Sequence, residues 1–178
     1  MKNRYCMKNR YCMMNFIESS AEDLYKSTVQ AFPHTTKRQH ATQSIVINNL
    51  RWIPFVGMKT LFVKSLAQNE NKEYSPIVLF KNVNYKGNQI NIVASDGLKY
   101  NFNKLSLENT EVLVRCNCPD FRYRFAWYNK LDHSLYGTPP KKYISKGGPP
   151  ANPMQLEGMC KHIIKTISVI TETGIFLD

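Results

Sequence analysis

The chain of 178 residues lacks an apolar run long enough to span a bilayer, and residues 1–30 alternate polar and apolar positions where a secretory h-region would be continuous. An intracellular, reducing setting is the expectation. The count of five cysteines is odd, which argues against a disulfide framework. A phosphate-binding glycine motif is missing, and so is a carboxylate pair with a supporting context. Asp96, Asp120 and Asp132 read as turn and helix-end residues. Acidic residues are scarce, 13 against 24 Lys and Arg, for a formal charge of +11. Such a charge favours encounter with nucleic acid or an acidic protein surface and says nothing about fold.

What the chain does have is a split pair of short motifs, Cys116-Asn117-Cys118 and Cys160-Lys161-His162. Three thiolates and one imidazole are the donor complement of a closed tetrahedral zinc site. The segment 111–118 favours a strand through its β-branched content and alternation. With a period of two, Val112, Val114, Cys116 and Cys118 point to one face, and Arg115 and Asn117 point away. The second pair opens a helix whose apolar positions Ile163, Ile164, Ile167 and Ile170 recur at helical spacing. At a helix start, residues i and i+2 diverge by roughly 200°. Cys160 and His162 can therefore both ligate only if the first turn is irregular or if Cys160 precedes it. The helix end, together with Arg115 and Lys161, favours thiolate over thiol.

The order Cys116-x-Cys118 followed by Cys160-x-His162 resembles the SWIM-type zinc finger, over roughly residues 111–172. That resemblance implies Cys116, Cys118, Cys160 and His162 as ligands of one structural Zn2+, in a module that engages DNA or protein. The spacer between the pairs is longer than the family usually shows. A weaker similarity runs through Cys116-Asn-Cys-Pro-Asp-Phe-Arg-Tyr-Arg-Phe and Asn152-Pro153 to Cys160-Lys-His. It is similar to SWIM-containing proteins that tailed bacteriophages encode among their particle genes, and it implies a virion component.

The spacer opens with Pro119-Asp120, suited to a first helical turn. Phe121, Phe125 and Tyr128 then recur at helical spacing, with Tyr123 and Trp127 as a second pair beside them. Phe121, Phe125 and Trp127 are expected to cover the core of the module. Residues 132–158 are rich in Pro and Gly and read as a long irregular loop, made basic and aromatic by Lys141, Lys142, Lys146, Tyr136 and Tyr143. Arg115, Arg122, Arg124, Lys141, Lys142 and Lys165 are the candidate contacts to phosphates or to an acidic partner.

Upstream, MKNRYC is repeated without change at 1–6 and 7–12, a basic arm with Lys2, Arg4, Lys8 and Arg10. Cys6 and Cys12 would need partners elsewhere, such as His34 and His40, to bind metal. Glu18 to Ala31 reads as a short helix capped by Ser19 or Ser20 and stopped before Pro33. Strands are expected over 44–48, 58–66, 74–83, 89–94, 99–102 and 111–116, with Asp96-Gly97 as a type I′ hairpin turn. The fold class is α+β, mostly β. The expected architecture is a small antiparallel barrel or sandwich followed by a zinc-stapled strand–helix–loop–helix module. The organisation is an arm over 1–17, a β-rich body over 18–110 and a zinc module over 111–178.

Two functions follow from this reading. One is a non-catalytic structural or adaptor component of a large assembly, docking protein partners or further copies of itself through the zinc-anchored loop, away from any membrane. The other is a nucleic-acid-binding zinc module, with DNA as the possible partner, contacting phosphates through its basic helix and loop. An enzyme using Cys160 or Cys118 with His162 or His133 as base is disfavoured, because a closed site leaves no open position for water.

Overall fold

The computed structural model describes residues 18–34 and 41–177. The arm over 1–17, Cys6, Cys12 and His40 lie outside the described residues. The protein is mostly β, with antiparallel sheets and three α-helices among the described residues.

Helix α1 spans Ala21–Ala31, a turn shorter than the composition suggests, because Ser20 closes a capping box. Its Oγ accepts the Asp23 N–H at 3.1 Å, and the Asp23 carboxylate accepts the Ser20 N–H at 3.2 Å. Leu24, Thr28 and Ala31 face inward from this helix. The chain leaves it at Phe32, just ahead of Pro33.

Strands β1 (Ile45–Phe55) and β2 (Thr60–Asn69) form a long hairpin. The expected strand at 44–48 is only the start of β1. Asn48 is bulged out of register, and alternation resumes beyond it in the opposite phase. β1 is an end strand of its sheet, where Pro54 is tolerated. The expected strand at 74–83 is divided. β3 (Lys72–Tyr74) and β4 (Ile77–Phe80) both lie along β2, and Ser75-Pro76 interrupts them because proline has no N–H for the ladder.

β5 (Ile90–Val93) and β6 (Lys99–Phe102) make a separate two-stranded sheet. Their turn is not type I′. The Gly97 N–H bonds to Ala94 O and the Ala94 N–H to Leu98 O, each at 2.9 Å, and Gly97 has φ +81°. That is a three-residue loop with a single left-handed residue, for which glycine carries no steric cost.

β7 (Val112–Arg115) pairs with β4, so the larger sheet runs β1-β2-β4-β7 with β3 beside β2. The sheet stays open, with β1 and β7 as its two ends, instead of closing into a barrel. Its apolar face is covered by helix α3 (Lys161–Glu172), which contacts β1, β2 and β4. Leu61, Val63, Ser65 and Ala67 alternate inward from β2, and Val78, Phe80, Val112 and Val114 do so from β4 and β7. From α3 come Ile163, Thr166, Ile167 and Ile170, and the Ser65 and Thr166 hydroxyls meet at 2.7 Å between the layers. Burying each large side chain here, such as Phe80 or Ile163, contributes roughly 1.5–3 kcal/mol. The buried cluster runs on through Cys116, Cys118, Phe121, Phe125 and Cys160, so the packing of the sheet extends without a break into the Cys/His region.

Candidate metal centre

The alternation of β7 persists three residues past its last paired residue, Arg115. Val112, Val114, Cys116 and Cys118 are all buried, while Asn117 is exposed. Both sulfurs therefore leave the sheet on its core side. The second pair meets its geometric condition in one of the two expected ways: Cys160 precedes the helix. It is the N-cap of α3, with extended backbone at φ −78° and ψ 162°, and His162 is inside the first turn. The change of backbone between them turns both side chains the same way.

The four ligand atoms of Cys116, Cys118, Cys160 and His162 lie within 4.8 Å of one another, and all four residues are buried. Cys160 Sγ is 3.9 Å from His162 Nδ1, and His162 Nε2 is buried without a hydrogen-bond partner.

The sulfurs press the same requirement. Cys118 is held as thiolate, well below the usual thiol range, because Cys116 and Cys160 donate to it. Cys116 is pushed up as the donor to Cys118, and Cys160 is pushed up by its complete burial. Three adjacent buried thiolates need a cation among them. The quartet has the donor set to hold a metal ion, and these residues fit a closed site.

The surroundings fix the ligands. The Phe121 N–H points at Cys118 Sγ, 3.3 Å away, and the Tyr74 ring lies against the His162 ring with centroids 4.4 Å apart. Asn117, between the two cysteines, accepts the Ser75 N–H at 2.8 Å, so the break between β3 and β4 is bound to the site. Groups one step beyond the ligands commonly set their orientation in this way.

The segment between the cysteine pairs is irregular after its helix, as its composition predicts. It opens with a π turn over Phe121–Phe125 and continues as α2 (Ala126–Leu131). Phe121 and Phe125 are buried, Trp127 is half-buried and Tyr123 is exposed. The loop that follows is pinned at several points. Val114 and residues 134–136 exchange two backbone hydrogen bonds, at 2.8 and 3.1 Å, so the loop covers the outer edge of β7. At its far end Asn129, fully buried, accepts the Gly158 N–H at 3.0 Å and donates to Gly158 O at 3.1 Å. A Cβ at Gly158 would sit 2.4 Å from Thr28 Oγ1 and 2.8 Å from the Phe125 ring. The next residue, Met159, donates its N–H to Thr28 Oγ1 at 2.8 Å. Sequence reasoning missed Asn129, Gly158 and Thr28. An asparagine on the apolar side of a helix, four residues after Phe125, is the one signal that was available.

The six candidate cations divide. Arg115 Nη1 donates to Tyr136 O and Thr138 O at 2.8 and 2.9 Å, holding the loop. Arg124 is ion-paired with Asp120 and donates to Ala151 O at 3.2 Å. Arg122, Lys141 and Lys142 are exposed, and Lys165 is half-buried on α3. His133, the alternative base, takes a left-handed conformation (φ 62°) just past α2 and is not part of the quartet. Among the described residues, no helix is long and apolar enough to cross a membrane.

Comparison with protein-family models, with curated proteins and with solved structures finds no match to this chain.

Proposed function

We propose that this is a non-catalytic zinc-binding protein of the SWIM type, a structural or adaptor component of a larger assembly. One Zn2+ on Cys116, Cys118, Cys160 and His162 would staple β7 to the start of α3 and so anchor both ends of the 119–158 segment, which docks protein partners. The observation that carries this is the meeting of four buried ligand atoms within 4.8 Å, drawn from a strand end and a helix cap far apart in sequence. Thiolate-rich, fully buried sets suit zinc, and four protein ligands complete a tetrahedral ion with no position left for water. The ligand order is also that of the SWIM resemblance, whose weaker extension makes a phage particle the assembly in question.

Native mass spectrometry of the full-length chain tests both halves of the proposal, because it weighs metal and oligomer together. The expected result is one zinc per chain in a ring or other higher oligomer. Metal-free protein that had never met a chelator would overturn the zinc staple. A zinc-loaded monomer would overturn self-assembly as the form of the larger structure.

A further inference from the structure

Beside the metal centre, α2 and the returning loop enclose a cleft of about 360 Å³, walled by Tyr123, Trp127, Tyr128, Lys142, Tyr143 and Asn152 among others. Tyr123 and Tyr143 pack against each other with centroids 4.7 Å apart, and both stay more than 40% exposed, so they offer free ring surface to a ligand. Cations cluster on these rings: Lys130 Nζ is 4.5 Å from the Trp127 centroid, the Arg122 guanidinium 5.7 Å from Tyr123 and Lys142 Nζ 6.0 Å from Tyr128. Among the described residues, the cleft wall contains no carboxylate. Two of the three acids of this segment are engaged elsewhere, Asp120 with Arg124 and Glu157 with Ser27.

The geometry points to this cleft as a binding site for single-stranded nucleic acid, a function beyond protein docking. Aromatic faces with adjacent cations are what such a strand needs: bases stack on the rings and phosphates meet the lysines and arginine. A proline-rich peptide, the other common guest of aromatic grooves, would cover the rings and leave the cations without an anion. An acidic peptide would satisfy the cations and leave the ring faces uncovered.

The test uses full-length, metal-loaded protein and a fluorescein-labelled oligothymidylate, with the duplex it forms with oligoadenylate as control. The single strand is expected to bind about tenfold or more tighter than the duplex, since paired bases cannot reach the rings. Tyr123→Ala and Tyr143→Ala should each weaken single-strand binding by about 5- to 100-fold, with Phe at either position restoring it. The double variant Lys130→Ala, Lys142→Ala should flatten the slope of log affinity against log salt by about 1.4. Equal affinity for both forms, unmoved by the tyrosine substitutions, would show charge attraction alone and overturn the inference. Preference for a proline-rich or acidic peptide would overturn it as well. Zinc content measured on the same samples separates the readings: full zinc without strand selectivity refutes the cleft and leaves the staple intact.

Discussion

Removing the Asn129 side chain tests how the irregular loop is returned to the metal centre. Asn129 is completely buried and makes both available hydrogen bonds to the peptide groups of Gly158, two residues before Cys160. In Asn129→Ala the Gly158 N–H and C=O both lose their partners in a buried setting. Each such group costs about 1–3 kcal/mol, and partial relaxation around the site brings the expected sum to about 3 kcal/mol. For a chain of this size that lowers Tm by about 6–12 °C. Denaturation followed by tryptophan fluorescence reads the change. Chelator competition reads its share at the metal, where 3 kcal/mol is about a hundredfold in zinc affinity. An exposed control, Asn91→Ala, removes only a surface bond to Asn101 and is expected to stay within about 0.5 kcal/mol. If Asn129→Ala shifts Tm by no more than that control and leaves metal affinity unchanged, the clamp does not position Cys160 and the account of the loop is wrong.

Two further outcomes are expected. Cys160→Ala should release the metal and open residues 119–158 to protease while the sheet and the α3 that covers it keep their fold, seen by limited proteolysis with mass mapping; an unchanged cleavage pattern there would sink the staple. Asp96 is held below the ordinary aspartate range by the Leu98 N–H and the Tyr100 hydroxyl. Its folded value is depressed, so its contribution is present above the unfolded-state pKa and disappears as pH falls through the folded one. NMR titration should show that depression, reduced in Tyr100→Phe.

Much of the site was legible because metal chemistry depends on residue type and short spacing. Two i, i+2 pairs of Cys and His announce a donor set, and the conflict between that spacing and helical geometry already required Cys160 to precede the helix or the first turn to be irregular. A helix cap at Ser19 or Ser20 and a hairpin turn at Asp96-Gly97 were readable for the same local reason. Their errors were local too: a bulge at Asn48, a break at Pro76 and a three-residue turn in place of a two-residue one. Each depends on how the partner strand pairs, which no single segment encodes by itself.

The sequence by itself determined which side chains can bind a metal, roughly which stretches form strands and helices, and that the molecule is cationic. Tertiary structure alone decided that the sheet stays open beneath α3, that Arg115 and Arg124 turn inward to hold the loop, and that Asn129 clamps Gly158. The physical reason is range. Periodicity and propensity report on neighbours a few residues apart, whereas these contacts join segments distant along the chain, chosen by which buried polar groups find partners once the core has packed.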